Sequence, residues 1–130
     1  MNTVSGTVAR VADALVVELP GGRAPLPPDV AHSVERLGLT EVMIGVRPES
    51  LRFITAGGVI ASVLVIESLG YERHVVCRLD DGTLVIVRSD AREAVPGIGE
   101  SVHLAADVGS LHVFDPASGD RIAVDGKQPA

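Results

Sequence analysis

Short apolar runs rich in Val and Ile alternate with clusters of Gly, Pro and Asp along most of the 130-residue chain. Long stretches with the 3.6-residue period of an amphipathic helix are absent. This pattern is typical of short β-strands joined by tight turns. We predict strands over residues 3–11, 14–19, 41–46, 58–68, 73–79, 83–88 and 101–106, with shorter ones over 51–54, 111–114 and 121–124.

Turn residues mark where several of these strands end. The Asp-Asp-Gly tripeptide at 80–82 predicts a hairpin, because Gly accepts a positive φ and Asp tolerates turn geometry. The Pro-Gly-Gly tripeptide at 20–22 predicts another turn. One short helix is predicted over 30–36, with Asp29 as its N-terminal cap and Gly38 ending it.

The two halves of the chain resemble each other. Residues 17–22 align with 77–82 at a spacing of 60 positions, and residues 6–11 resemble 61–66 at a spacing of 55. Self-similarity at a fixed spacing indicates repeated structural units, and the alternative is chance similarity between two β-rich halves. Further pairs 60 positions apart are Val42 with Val102, Ile44 with Leu104, and Leu51 with Leu111.

A unit of about 60 residues with about five short strands and a brief helix fits a small, partly open Greek-key barrel. We therefore predict an all-β fold made of two duplicated OB-fold-like barrels with one or two short helical turns. The first barrel is predicted over 1–57 and the second over 58–125, an arrangement that allows shared strands, and 126–130 form a C-terminal tail.

Composition narrows the classes of function. The chain is 46% hydrophobic but only 2% aromatic, it has no Trp, and its formal net charge is −6. Nucleic-acid binding needs basic residues for phosphates and aromatic residues on which bases stack. We therefore predict no nucleic-acid partner, and a single-strand-binding OB module is disfavoured.

The single cysteine, Cys77, lies in an alternating apolar run over 74–79. No internal disulfide can form, so a reducing compartment is expected, and a buried, inert thiol is favoured over a reactive one. No segment approaches the roughly 20 apolar residues of a membrane span, and the N-terminus lacks a basic stretch followed by an apolar one. A soluble chain without an export signal is expected.

No catalytic constellation is visible. The chain lacks a phosphate-binding loop and a nucleophile elbow, and the glycines at 97–99 are best interpreted as a turn. The histidines are scattered and have no partner at zinc-ligand spacing. They are His32, His74, His103 and His112. We predict no catalytic residue, no metal and no cofactor.

The apolar run 44–53 is interrupted by Arg47, Pro48 and Glu49. Proline cannot donate a backbone hydrogen bond to a sheet, so Pro48 should end the preceding strand. Two interpretations of the flanking charges stay open. The first is a barrel corner tied down by a fork from Arg47 to a carboxylate or to backbone carbonyls, and the second is a contact for another chain. These three residues are the candidates for a structural or interface site.

Residues 45–51, Gly-Val-Arg-Pro-Glu-Ser-Leu, resemble the G-[IV]-R-P-E-x-[LIV] signature of sugar-importing ABC transporters of the maltose/trehalose type. That signature lies in the C-terminal regulatory region of their ATP-binding subunits, the transport-associated OB (TOBE) domain. The initial Met-Asn, residues 16–20 and residues 65–70 (Val-Ile-Glu-Ser-Leu-Gly) are similar to segments of the same region, in the same order.

The end of the chain is similar to the family's closing motif, x-H-L-F-D-x-x-T-G-x-R-[LI]. His112 and Phe114 match the motif, whereas Val113 replaces the usual Leu and Ser118 stands for Thr. The resemblance covers nearly the whole chain. The phosphate loop, signature motif and catalytic carboxylate of the ATPase are absent, so the chain resembles the regulatory domain alone.

The resemblance implies TOBE/MOP-like barrels on the cytoplasmic side, peripheral to the inner face of the cell membrane. The implied partners are the nucleotide-binding domain, the permease complex, a second copy in a weak homodimer and a regulatory protein. The importers of this family carry sugars, glycerol phosphate or related polyols. No ATP hydrolysis is expected of this chain.

An alternative hypothesis is a free-standing oxyanion-binding protein of the molbindin type, which also duplicates this barrel. It requires backbone amides at 2–5 and the hydroxyls of Ser5, Thr7 and Ser62 to converge, because a tetrahedral oxyanion needs several donors. The net charge of −6 disfavours it.

Overall fold

The computed structural model describes residues 1–94 and 96–122, which form one antiparallel sheet system and one α-helix. Two single 3₁₀ turns, Pro48–Ser50 and Val108–Ser110, interrupt the strands. In chain order the elements are β1 (Asn2–Val11), β2 (Ala14–Leu19), β3 (Gly22–Pro25), α1 (Pro28–Leu37), β4 (Glu41–Val46), β5 (Leu51–Ile54), β6 (Val59–Ser68), β7 (Glu72–Arg78), β8 (Leu84–Asp90), β9 (Ser101–Ala106) and β10 (His112–Phe114). The predicted all-β class with short helical turns is confirmed.

Most predicted strands match the observed ones to within two residues. The exception is β3, which was missed because Gly-Arg-Ala-Pro has no β-branched residue and becomes a strand by pairing with β2 and, at Gly22, with β6. The strand predicted over 121–124 is represented by one bridge between Phe114 and Arg121. Its last two residues, and the tail predicted over 126–130, lie outside the described residues.

The capping prediction for α1 was wrong. The helix begins at Pro28, its N-cap is Pro27, and Asp29 lies in the first turn without a side-chain cap hydrogen bond. Pro28 accounts for this start, because proline is favoured at the first helical position, where its missing N–H is not needed. The predicted end is confirmed, since Gly38 adopts the left-handed conformation with φ of 67°.

The last strand of each half pairs with the other half. In the first half β1 pairs with β2 and β4, and in the second half β6 pairs with β7 and β9. However, β5 pairs with β9, and β10 pairs with β4. The two repeats therefore exchange their final strands, and each completes the sheet of its neighbour.

Burial follows the internal repeat. Val17 and Cys77 are both fully buried, and Ile44 and Leu104 are 2% and 3% exposed. Two core clusters result, and Leu19 packs against both of them. The first is built around Val17, Leu26, Val30, Val34, Val42, Ile44 and Val113, and the second around Val63, Val75, Cys77, Val85, Val87, Val102 and Leu104.

The helix distinguishes the two halves. Val30 and Val34 of α1 are buried in the first core. At the corresponding place in the second half, between β8 and β9, the described residues 91–94 and 96–100 contain turns and no helix. The second core instead receives Val4 from β1 of the first half.

Candidate functional site

Pro48 ends a strand, as predicted. β4 stops at Val46, Arg47 is extended with φ of −74°, and Pro48 opens the 3₁₀ turn. The Ser50 amide donates to the Arg47 carbonyl at 2.9 Å, which closes the turn and directs the chain into β5. The interruption of the apolar run is therefore a corner between β4, which pairs with β1 and β10, and β5, which pairs with β9.

The charged side chains of this corner point to solvent. Arg47 and Glu49 are exposed, and Pro48 is half-buried. Within residues 1–94 and 96–122, neither charged side chain has a hydrogen bond or an ion pair. The three candidate residues are consecutive and lie at this corner, and their structural or interface role stays a prediction.

A second corner lies 60 positions further along the chain. The Ser110 amide donates to the Asp107 carbonyl at 2.9 Å, so the backbone turn is repeated. Here the side chains are paired, because Arg52 of β5 donates to the Asp107 carboxylate at 2.8 Å. This hydrogen bond lowers the pKa of Asp107 and raises that of Arg52.

At the first corner, two basic residues occupy the positions that the acidic and the basic residue of this ion pair occupy at the second corner. Arg47 occupies the position of Asp107, and His112 of β10 occupies the position of Arg52. The pKa of His112 is lowered, first by burial and then by the positive charges of Arg121 and Arg47. Three basic side chains therefore lie close together in a chain whose net charge is −6.

An apolar cavity of about 240 Å³ lies between the two halves. Its walls come from both repeats, with Val4, Ile44 and Val46 on one side and Val59, Val85 and Leu104 on the other. Arg23, an exposed residue of β3, is its charged lining residue. Such a cavity offers apolar contact but few polar groups that could orient a ligand.

The hydroxyls that the oxyanion-binding hypothesis requires lie in two separate depressions. Ser5 and Thr7 line one of them together with Glu18 and Glu41. Ser62 lines the other. Within one chain these hydroxyls do not converge, and the two carboxylates of the first depression repel an anion.

The described residues contain no group of three or more His, Cys, Asp or Glu side chains that could hold a metal. Cys77 is buried as predicted, and burial raises the pKa of its thiol to about 11. A thiol with this pKa is protonated at neutral pH and is a poor nucleophile. None of the described helices has the length and hydropathy needed to cross a membrane.

Sequence reasoning missed the role of Asn2. Its side chain, 8% exposed, accepts from the Ile86 amide at 2.8 Å and donates to the Ile86 carbonyl at 2.9 Å. The start of β1 is thereby attached to β8 of the other half. An apolar pattern gives no signal for such a bond, because Ile86 is 84 residues away.

Three comparisons place this geometry among known proteins. The TOBE domain family model matches residues 44–114, from β4 to the end of β10. The uncharacterized ABC transporter ATP-binding protein y4oS of Sinorhizobium fredii (strain NBRC 101917 / NGR234) is 35% identical over 123 residues. That alignment covers 95% of this chain but 31% of the relative, so the chain spans about a third of the relative's length.

Among solved structures, the cytoplasmic molybdate-binding protein ModG, crystallised with molybdate bound, is similar with a TM-score of 0.64 at 18% identity. The match covers 88% of this chain and 96% of that one. Similarity at this identity shows the fold, and it confirms the predicted duplicated OB-fold/MOP-like architecture. Because the family model spans more than half of the chain and includes both corners, the protein belongs to the TOBE domain family.

Proposed function

We propose that this chain is the regulatory and dimerisation domain of the ATP-binding subunit of an ABC importer for sugars or related polyols. The observation that carries the proposal is the TOBE match over residues 44–114. The 35% identity to an ABC transporter ATP-binding protein over 95% of the chain supports it. The transported class is inferred from the Gly-Val-Arg-Pro-Glu segment at 45–49 and the closing motif.

The proposed partners are the nucleotide-binding domain of the same subunit, the permease complex at the cytoplasmic face of the membrane, a second copy of the domain and a regulatory protein. The side chains of Arg47 and Glu49 are exposed and have no partner among residues 1–94 and 96–122, which supports a contact with another chain at this corner. We also propose that the chain itself hydrolyses no ATP and needs no cofactor.

A chimera tests the role in a transporter. This chain would replace the matching third of the Sinorhizobium relative, and co-purification with the relative's permease subunits would be measured together with ATP hydrolysis. We expect the chimera to assemble and to keep transport-coupled hydrolysis, whereas the relative without this region should lose its regulation. A chimera that hydrolyses ATP but no longer assembles would contradict the proposal. Uptake of maltose, trehalose, glycerol 3-phosphate and polyols would test the solute class.

A second candidate function is oxyanion binding. It is favoured by one observation, the similarity to ModG over 96% of that chain. Since the hydroxyls of Thr7 and Ser62 lie in separate depressions of one chain, this function requires a site formed between two copies. The carboxylates of Glu18 and Glu41 make it the weaker candidate.

Calorimetric titration with molybdate and tungstate distinguishes the two functions. Oxyanion binding between copies predicts stoichiometric heat that is lost in the Thr7→Ala and Ser62→Ala variants. The regulatory role predicts no heat that depends on these two hydroxyls.

A further inference from the structure

Equivalent residues of the two halves line the apolar cavity between them. Val4 lies opposite Ile44 in the β1–β4 ladder, and all lining contacts of this pair are repeated by Val59 and Leu104 in the β6–β9 ladder. The cavity, of about 240 Å³, therefore lies where the same face of the two repeats meets. We call it the central cavity. Further lining pairs, 60 positions apart, are Leu19 with Leu79, Val46 with Ala106, and Leu51 with Leu111.

Small residues of the second half leave space in the central cavity. Ala106 stands where the first half has Val46, and Ala105 and Gly58 also line the cavity. Ala106 follows Leu104 by two residues in β9, so both side chains lie on the inward face of that strand. A valine at position 106 would restore the symmetry of the two walls and would occupy part of the space.

Arg23 is the one polar side chain among the described residues that line the central cavity. It is exposed, which places it at the rim. The β2–β3 register sets Arg23 opposite Glu18, and at the equivalent place in the β7–β8 register Leu84 lies opposite Arg78. The second half therefore has no counterpart of this charge.

The guanidinium group of Arg23 is available to a ligand. Within residues 1–94 and 96–122 it has no hydrogen bond and no ion pair, and Glu18 lines a different depression. The central cavity thus combines an apolar interior with a single positive charge at its rim. This combination matches a molecule with an apolar chain and one negative end.

We propose that the central cavity binds an unbranched fatty acid of about eight carbon atoms, with the chain inside and the carboxylate at Arg23. An apolar cavity of about 150 Å³ holds benzene, so 240 Å³ has room for about ten non-hydrogen atoms, as in octanoate. A guanidinium fork forms two parallel hydrogen bonds to a planar carboxylate.

The apolar walls decide against a small inorganic anion at this place. Such an ion would lose its hydration and would find no donors in the interior to replace it. The proposed ligand is therefore distinct from an oxyanion held between copies. The proposal goes beyond the regulatory role and does not rest on it.

Methyl NMR of the whole chain tests the proposal, with fatty-acid salts from butanoate to dodecanoate added below their micelle concentrations. The methyl resonances of Val4, Val59 and Leu104 should shift saturably, whereas those of Val30 and Val34 in the first core should not. Each added methylene should raise the affinity about fourfold up to octanoate. Beyond octanoate the gain should stop, because a longer chain extends out of the cavity.

Two variants separate the contributions of charge and space. Arg23→Gln should lower the octanoate affinity about fivefold, the effect of one ion pair at the rim, and should leave the affinity for octanol unchanged. Ala106→Val should end the gain at a chain about two carbon atoms shorter, for acids and alcohols alike, because its added methyl groups fill part of the cavity. Arg92→Gln is the matched control, because the Arg92 side chain is 90% exposed and lies outside the cavity, and it should change neither affinity.

Three results would overturn the proposal. The first is an affinity that keeps rising from octanoate to dodecanoate, because this shows adsorption to the surface. The second is the absence of saturable shifts at the three cavity residues. The third is an equal loss of octanoate affinity in the Arg23→Gln and Arg92→Gln variants, which shows general charge attraction. If Ala106→Val fails to fold, the chain-length series and Arg23→Gln still decide, and none of these results bears on the regulatory role.

Discussion

The side chain of Asn2 substitutes for a backbone partner of Ile86. Both polar groups of its amide are used, at 2.8 and 2.9 Å, and the residue is 8% exposed. One side chain thereby makes the pair of hydrogen bonds that an additional residue of an antiparallel strand would make with the edge of β8. Together with the Arg52–Asp107 pair, it joins the two halves through polar side chains.

Asn2→Ala should destabilise the protein by about 2 kcal/mol, because it leaves both Ile86 backbone groups unpaired. The urea midpoint at constant slope measures the change. Thr3→Ala, at the exposed neighbouring position, is the control and should shift the midpoint little. Equal midpoints for the Asn2 variant and the wild type would show that water replaces the amide without loss.

His112 should make stability depend on pH. Its pKa is lower in the folded protein than in the unfolded chain, because of burial and then of Arg121 and Arg47. The unfolded state therefore binds more protons as the pH falls through the usual His range near 6.5, and stability decreases in the acid direction. At and above neutral pH, this stability is fully present.

The free energy of unfolding, measured in urea between pH 5 and pH 7, tests this statement. His112→Gln should flatten the profile in this window relative to the wild type, in a buffer without sulfate or phosphate. Thr3→Ala, an exposed position that carries no titratable group, is the control, and its profile should stay parallel to that of the wild type. If the wild-type and His112→Gln profiles are parallel, His112 does not contribute.

At the scale of the element, the helix and the turns explain why the two similar halves are not identical. α1 supplies Val34, which is fully buried, to the first core. In contrast, Leu37 at the end of the same helix is 56% exposed. The contribution of the helix to stability therefore depends on the face that each residue occupies, rather than on the size of its side chain.

Val34→Ala should cost about 2 kcal/mol of unfolding free energy, because it removes two buried methyl groups and leaves a cavity. Leu37→Ala removes a larger side chain from the surface and should change stability by less than about 0.5 kcal/mol. Urea unfolding of both variants makes the comparison. A larger loss for Leu37→Ala would mean that its exposed side chain is covered in solution, for example by a second copy.

The junction between the halves depends on close backbone approach. Gly22 of β3 pairs with Val59 of β6, and a side chain at Gly22 would collide with the carbonyl oxygen of Gly58. This contact is formed by backbone, which cannot move aside as a flexible side chain can. The Pro-Gly-Gly turn predicted at 20–22 therefore has a second role that its turn chemistry does not reveal.

At the scale of the whole molecule, the exchange of β5 and β10 holds the two halves together. Each half contributes its last strand to the β4 or β9 ladder of the other half. A fragment of residues 1–57, the first barrel proposed from the sequence, keeps the β1 partner of β4 but lacks its other partner, β10, and lacks β9, the partner of β5. The division at 57 therefore describes the repeat, and we propose that the two repeats fold as one unit.

Association between copies should be weak. The chain has one Tyr, two Phe and no Trp, so it offers few of the aromatic anchors that dominate interface energetics. We expect dissociation in the micromolar range or weaker, which corresponds to about 8 kcal/mol or less. Sedimentation equilibrium over a hundredfold concentration range measures it. A dimer that persists at nanomolar concentration would instead favour the obligate assembly of an oxyanion binder.

The sequence by itself determined most of the elements and the repeat. Strand alternation, the Asp-Asp-Gly turn and the stop at Pro48 act over a few residues, so they can be recognised locally. The spacing of 60 positions could be recognised in the sequence because equivalent core positions are apolar in both halves. Val17 and Cys77 are such a pair, and both are fully buried. The end of α1 at Gly38 could also be predicted from the neighbouring residues alone.

Only the tertiary structure decided which strands exchange and which charges meet. The Asn2–Ile86 bonds span 84 residues and the Arg52–Asp107 pair spans 55, and no periodic pattern specifies such partners. The β4–β10 ladder likewise places His112, of the last motif, opposite Gly45, two residues before Arg47 of the first motif. The local pattern fixes the face of the strand on which a side chain lies, and the pairing of distant strands fixes the side chains that it meets.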